Sequence, residues 1–378
     1  MVIKEENNVK NNILIASLFS VVILLIGIGF GFSYSVNRTT EVNIMGNNYS
    51  YIVKHIFHLL IALTVMISSI FINVEIYKKF MKLITIATIL LLIITLVPSI
   101  GKVVSGARRW IDLKFIRFQP SELAKISVLI YTSAVLSKKD DIIKDFYKGI
   151  LPPLVVITFI SVLILVENDF STAFLILLVA FFILLLSGAD FLSLLILMFV
   201  GILTCIGILT GMLGIFFAQY RVKRLLAFLD PWGDPLNSGW QYIQSMKCFA
   251  MGGFWGKGIG NSAQNSILPE SRNDYIFAII AEEGGAFFAI VIVLLFAVFA
   301  ILGLVVTGNC KKDKYRFLLA SGITMFIFFQ AMTNIGVSVG LLPSTGIQLP
   351  FVSAGGTSLV VFSFCAGMLI NIARMKNS

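Results

Sequence analysis

Asp274 stands where a polar stretch rich in glycine, tryptophan and basic residues gives way to a long apolar run, in L-P-E-S-R-N-D-Y-I-F-A-I-I-A-E-E-G-G over residues 268–285. Glu282 and Glu283 follow about 12 Å deeper along a helix. Carboxylates at such depth in an apolar segment are costly and point to a polar cavity. Asp274 itself admits two readings: a general base, or an N-terminal acid favoured by the helix dipole.

Other residues of chemical interest gather nearby in type. Arg108, Arg109 and Trp110 suit phosphates and sugar rings, and equally an interfacial belt against lipid phosphates. Glu122 and Lys125, at i,i+3 after Gln119-Pro120-Ser121, share a helix face. They read as a buried ion pair, a cavity-facing pair, or both. Glu167 and Asp169 sit in a short turn, E-N-D-F-S-T, where Asp169 is placed to cap the next helix. Arg221, Lys223 and Arg224 precede a D-P-W-G-D-P turn stretch that begins at Asp230, and lipid anchoring explains the basic cluster as well as ligand binding does. Gln330, Asn334 and Ser338 repeat at i, i+4, i+8 and form one polar stripe, a pattern of interhelical hydrogen bonding. His55 and His58 have no carboxylate close in sequence and read as interfacial. Cys205, Cys248, Cys310 and Cys365 are scattered without metal spacing and read as unpaired.

The elements that carry these residues are membrane helices. Of 378 residues 58% are hydrophobic and 13% charged, with mean hydropathy +0.96. No soluble core needs that much apolar sequence. The pattern excludes a β-barrel, whose strands would be short and alternating. It predicts an all-α polytopic membrane protein of ten spans, near 13–32, 52–74, 83–100, 121–137, 150–166, 170–187, 191–217, 275–306, 316–342 and 354–373. The first is expected as a retained helix, since no small-residue cleavage site follows it. The whole chain reads as one integral membrane domain, with tails at 1–12 and 374–378 and a large loop at 218–274 between the seventh and eighth spans.

The net charge is +10. A nucleic-acid partner is not expected, because the cations lie in loops between spans rather than on a soluble module. The short loops at 75–82, 138–149 and 307–315 are lysine-rich and, with both tails, are assigned to the cytoplasm. About 15 Lys and Arg then lie inside and about 13 outside, the inner ones packed into less than half as many loop residues. The outer cations concentrate at 101–120 and 218–274. The run G-G-F-W-G-K-G-I-G-N in the second suits close approach to a ligand, or a re-entrant segment buried against protein. These residue types together suit a lipid-linked, phosphorylated, sugar-like ligand, without separating a transferase from a transporter.

The motifs G-A-R-R-W-I, Q-P-S-E-L-A-K, F-L-D-P-W-G-D-P, G-G-F-W-G-K-G-I-G-N-S, L-P-E-S-R-N-D-Y-I-F-A-I-I-A-E-E and L-P-F-V-S-A-G-G-T-S-L occur in this order. In them the chain resembles the SEDS family (shape, elongation, division and sporulation). D-P-W and Gln241 of G-W-Q-Y are nearer its division-type branch than its elongation-type branch. The resemblance implies a peptidoglycan glycosyltransferase of the bacterial cytoplasmic membrane. It would polymerise lipid II, an undecaprenyl-pyrophosphoryl disaccharide-pentapeptide. Its implied partners are a class B penicillin-binding protein and the division machinery. Asp274 matches the family's essential aspartate, and Arg109, Trp110, Glu122 and Lys125 match positions around the same cavity; Glu270, Arg272 and Glu283 join Arg108 as further substrate-binding candidates. No cofactor is certain; a divalent cation, Mg²⁺ or Mn²⁺, on Asp274 and the substrate pyrophosphate is an open expectation. The alternatives are a lipid II flippase or other lipid-linked-sugar transporter, an elongation-type polymerase of the same family, and a non-catalytic division scaffold. The chain departs from the family where H-T-D reads R-N-D, with Arg272 for histidine, where E-E-L-G reads E-E-G-G, where P-D-F-G-T reads N-D-F-S-T, and where S-Y-G-G-S-S reads S-A-G-G-T-S. The first weakens any mechanism that needs a titrating imidazole there.

Overall fold

The computed structural model describes residues 2–44, 50–104, 107–112, 117–209, 218–265, 267–268 and 273–375. In chain order these form α1 (Val2–Ile44), α2 (Ser50–Phe71), α3 (Val74–Lys79), α4 (Met81–Leu96), β1 (Gly101–Val104), β2 (Ala107–Asp112), β3 (Arg117–Phe118), α5 (Pro120–Lys138), α6 (Leu151–Val166), α7 (Phe170–Leu186), α8 (Phe191–Leu209), α9 (Ala218–Leu229), α10 (Trp240–Gly252), α11 (Ile276–Asn309), α12 (Lys314–Ser338) and α13 (Gly356–Arg374). Ten of these helices fall on the ten expected spans. Among the described residues, six stretches are long and apolar enough to cross a bilayer: Val9–Val36, Ile52–Phe71, Phe146–Val166, Ile276–Asn309, Lys314–Ser338 and Gly356–Arg374. Met81–Leu96, Phe170–Leu186 and Phe191–Gly201 are shorter apolar helices.

The tenth, α5, is not especially apolar because it does not face lipid. Pro120 occupies its first turn, where a missing N–H costs nothing. Almost every residue from Pro120 to Leu136 is buried, Glu122 and Lys125 included. The helix packs against α4, α7 and α12. With α12 and α13 it forms the bundle's interior, around Phe296, Phe299, Phe326 and Phe362. The large exposed apolar side chains lie mainly on α2, α4, α8 and α11, the lipid-facing positions.

The connections sort to two ends. At one end Lys314 donates to the Ser187 carbonyl (2.8 Å) and pairs with Asp140, Arg316 bridges Asp313 (3.0 Å) and Glu75 (3.8 Å), and Tyr315 donates to the Val74 carbonyl (3.2 Å). These are the lysine-rich loops, gathered as the charge pattern requires. The other end holds the sheet, the 167–169 turn, α9, α10 and the 339–355 stretch; there Thr357 donates to the Arg117 carbonyl (3.0 Å).

Three details depart from the sequence reading. The loop at 101–120 is not irregular: β1, β2 and β3 form a small antiparallel sheet with Gly101 opposite Ile111 and Ile111 opposite Phe118. Its Val, Trp, Ile and Phe favour pleated pairing, and Lys102 and Asp112 close it with an ion pair at 2.5 Å. The 218–274 segment contains two helices of its own. The eighth span is also not one continuous helix, for Gly285 interrupts α11 at φ 73°, ψ −176°.

That break accounts for the glycine-rich run. The carbonyls of Glu282 and Glu283 accept from the N–H groups of Lys257 and Gly258 (both 2.9 Å). The N–H groups of Ala286 and Phe287 donate to the carbonyls of Gly253 (2.9 Å) and Phe254 (3.1 Å). Backbone freed by the break is thus paired by the loop, which is what permits irregular backbone at such depth. The approach is backbone to backbone. A Cβ on Gly285 would lie 2.3 Å from the Phe254 carbonyl oxygen, and one on Gly256 2.2 Å from that of Glu283. Both have positive φ, so any side chain is excluded twice over. Gly256 and Gly285 are required by this pairing.

Candidate functional site

Asp274 lies in the turn just before α11, half-buried, with one carboxylate oxygen beside Gly346. Its backbone is gripped from two sides. Asn334 Nδ2 donates to the carbonyls of Asp274 (2.8 Å) and Ile347 (2.7 Å). Ser353 Oγ donates to the Asn273 carbonyl (2.6 Å) and accepts from the Leu349 N–H (2.8 Å). The turn that presents Ser353 includes Phe351 in the left-handed region, φ 65°. That conformation is unfavourable for an aromatic residue, and it is held by ring contacts with Phe299 and Phe362.

Glu122 and Lys125 form the buried pair the spacing implied, Nζ to Oε1 at 2.6 Å. Lys125 also donates to Gln330 Oε1 (3.2 Å) and lies over the rings of Phe326 and Phe362. Gln330 Nε2 in turn donates to the Gln348 carbonyl (3.1 Å). The α12 stripe therefore joins the Lys125 cation to the segment that carries Asp274. Ser338, its third member, accepts through its carbonyl from Ser245 of α10 (2.6 Å).

Around this network several buried polar atoms have no hydrogen-bond partner among the described residues: Glu122 Oε2, Asn334 Oδ1, Gln348 Oε1, Thr345 Oγ1 and the Tyr275 hydroxyl. Groups of this kind need an explanation, because leaving one unpaired costs about 1–3 kcal/mol. Arg224 donates to the Ser344 carbonyl (3.0 Å), so one member of the basic cluster faces the site rather than lipid. The side chains of Arg221 and Lys223 lie outside the described set.

Four of the expected substrate contacts are placed elsewhere or otherwise occupied. Arg108 Nη1 donates to the Leu96 carbonyl at the end of α4 (3.1 Å). Arg109 donates to the carbonyls of Glu167 (3.3 Å) and Asn168 and lies 3.7 Å from Asp169. Trp110 is half-buried in the sheet's middle strand. These residues brace the outer end. Asp169 caps α7 through the Thr172 N–H (3.2 Å). Glu167, 1% exposed, has no hydrogen-bond partner among the described residues for either carboxylate oxygen. Burial first and Asp169 second push its carboxyl up to about 9, against the opposing pull of Arg109.

Glu283 is likewise committed. Both its oxygens accept from Ser35 Oγ (2.8 Å), and the N–H groups of Gly260 and Ser262 point at it. Glu282 accepts from Lys257 Nζ (2.7 Å), Ser262 Oγ (2.5 Å), Ala263 N (3.0 Å) and Gln264 N (3.3 Å). The deep acids hold the glycine-rich loop to the break in α11 instead of lining an open cavity. Glu270 and Arg272 lie outside the described residues. Among the described residues no three His, Cys, Asp or Glu side chains are grouped to hold a metal ion. Sequence reasoning did not single out Gln348 and Ser353; an extended stretch such as 346–353 has no periodicity to flag them.

Comparison with known proteins extends these findings. The model of a family described as cell cycle proteins, FtsW/RodA/SpoVE, matches residues 16–378. A relative from Nitrosomonas europaea, named probable peptidoglycan glycosyltransferase FtsW, is 33% identical over 94% of this chain and 91% of its own. One of the same name from Coxiella burnetii is 34% identical over 92% and 93%. Among solved structures, a chain from a peptidoglycan synthase complex that coordinates polymerization and crosslinking covers 94% of this chain and 96% of its own, with TM-score 0.76 at 24% identity. The rod shape determining protein RodA of Thermus thermophilus covers 96% and 97%, with TM-score 0.67 at 21% identity. At these identities the two structures speak to the fold.

Proposed function

Because the chain belongs to the FtsW/RodA/SpoVE family of cell cycle proteins, we propose that it is a peptidoglycan glycosyltransferase that polymerises lipid II during division. Relatives over 30% identical across most of the chain bear that activity in their names. The observation that carries the site is the contrast around Asp274: a half-buried carboxylate whose backbone is fixed by Asn334 and Ser353, beside buried polar atoms with hydrogen-bonding capacity left over.

In this reading Asp274 takes the proton from the acceptor sugar's 4-hydroxyl, a poor nucleophile without a base. The new glycosidic bond forms as the anomeric bond to the lipid pyrophosphate breaks. Cations fixed in advance stabilise the departing charge. Lys125, joined through Gln330 to the Gln348 carbonyl beside the Asn334 contact to Asp274, serves this better than Arg109, whose guanidinium braces the 167–169 turn. The partner is a class B penicillin-binding protein. The lysine-rich end faces the cytoplasm, with both termini, and Asp274 faces outward. A cysteine placed at Asn261 should therefore react with impermeant maleimide in intact spheroplasts, and one at Asp313 only after lysis, with Cys248 and Cys310 first changed to serine. The reverse pattern would remove Asp274 from extracytoplasmic substrate.

Purified protein given labelled lipid II, with and without the partner, tests the activity. Polymer supports the transferase. Translocation without polymer would make the chain a flippase, and neither, with division intact in a strain carrying Asp274→Asn, a scaffold.

A further inference from the structure

We propose that α12 acts as a ruler that fixes the spacing between the Lys125 cation and the Asp274 carboxylate, with Gln330, Asn334 and Ser353 as positioning residues. The inference rests on the reading of Asp274 as the base. Gln330 and Asn334 are one helical turn apart, about 6 Å, on the same face of a buried helix. Gln330 uses both ends of its amide: Oε1 accepts from Lys125, and Nε2 donates to the Gln348 carbonyl. Asn334 uses Nδ2 twice, on the Ile347 and Asp274 carbonyls. The 347–348 stretch is thereby laid along α12 by two consecutive amides, and Asp274 is fixed to the same helix. Ser353 closes the arrangement from the far side, holding the Asn273 carbonyl while the Leu349 N–H holds it.

None of these contacts reaches the Asp274 carboxylate. They act on carbonyls at residues 273 and 274, so they constrain where the carboxylate starts rather than its charge. The geometry also gives each residue a separable part. Gln330→Glu keeps the oxygen that accepts from Lys125 and loses the donor to Gln348. Ser353→Ala loses the hydroxyl, while Ser353→Thr keeps it. Asn334→Ala releases Asp274 and Ile347 together. A displacement near 1 Å at a reacting group lowers a rate by about 100-fold, so loosening should appear in turnover and not in substrate affinity.

The test is steady-state polymerisation of labelled lipid II by the full chain with its partner transpeptidase, alongside thermal unfolding in detergent. Asn334→Ala and Ser353→Ala should lower kcat per folded molecule by about 10- to 100-fold, with KM within about twofold and the unfolding transition retained. Ser353→Thr should restore kcat. Gln330→Glu should lower kcat less than Asn334→Ala, since one half of its bridge survives. Should Asn334→Ala fail to fold, the Ser353 pair carries the test. Asp274→Asn is run beside them. If it is inactive while Asn334→Ala and Ser353→Ala turn over at the wild-type rate, the ruler is wrong and the base assignment stands. If Asp274→Asn keeps the wild-type rate, the base assignment itself falls. Loss confined to KM, or a Ser353→Thr protein that folds but does not recover, would also overturn the ruler.

Discussion

The acids of α11 and its entry turn fall into two regions that look alike in sequence and differ in physical state. Glu282 is 0% exposed, yet both its oxygens have partners, among them an ammonium group, a hydroxyl and two backbone N–H groups. Asp274, half-buried two turns earlier, is controlled through its backbone and surrounded by groups that retain hydrogen-bonding capacity. Depth alone therefore does not mark a reactive acid. A deep carboxylate with every lone pair matched is an architectural clasp; in the reading proposed above, the shallower one, on a backbone fixed by Asn334 and Ser353, is placed for chemistry.

Substitution can break the contrast at either pole. Asp274→Asn keeps volume and turn. It should lower glycan polymerisation by at least about 100-fold, the lower range for losing a general base, and leave thermal unfolding unchanged. Polymerisation near the wild-type rate would take Asp274 out of the mechanism. Glu282→Ala should do the opposite. It strips the Lys257 ammonium, the Ser262 hydroxyl and the N–H groups of Ala263 and Gln264 of their acceptor, so folded protein should be destabilised by about 1–3 kcal/mol. What remains folded should polymerise at close to the normal rate; a Glu282→Ala protein with an unaltered unfolding midpoint would show that the clasp does not hold the loop.

A third region sharpens the comparison by mixing both states. Glu122 gives Oε1 to Lys125 and keeps Oε2 unpartnered. Either single alanine substitution leaves a buried charge alone, at a cost of about 3–5 kcal/mol. The double variant should regain expression without regaining activity. Losses in expression that simply add would show that the two side chains do not interact.

The smallest expected effect concerns Glu167. Its folded carboxyl titrates near 9, against an ordinary value of 4.5. Between those values the folded state binds the proton that the unfolded state has released, so stability falls as pH rises through this window. Below the ordinary value both states are protonated and the group contributes nothing to the pH dependence. Glu167→Gln should flatten the decline in unfolding midpoint between neutral pH and about 9. An identical decline in variant and wild type would assign it to other groups.

Sequence made the bundle legible because apolar length and loop charge are strong signals. Ten spans and the grouping of the lysine-rich loops at one end follow from them directly. The Glu122–Lys125 pair and the Asp169 cap followed from helical spacing and turn position. Three things did not follow. The sheet at 101–118 was hidden in a loop too short and basic for a clear alternation. The break at Gly285 was masked by an apolar run on both sides, and only its partner loop, remote in sequence, shows why glycine is required. The arginines at 108 and 109 hold backbone carbonyls at Leu96, Glu167 and Asn168, and no local pattern announces a carbonyl 58 residues away.

The most direct test of the central claim is a paired measurement of lipid II polymerisation per folded molecule for Asp274→Asn and Glu282→Gln, in the same detergent and with the same partner. The account predicts that Asp274→Asn is stable and at least about 100-fold slower, while Glu282→Gln is less stable but turns over at a rate close to wild type. A slow Glu282→Gln beside a fast Asp274→Asn would contradict it and move the chemistry to the deeper acid.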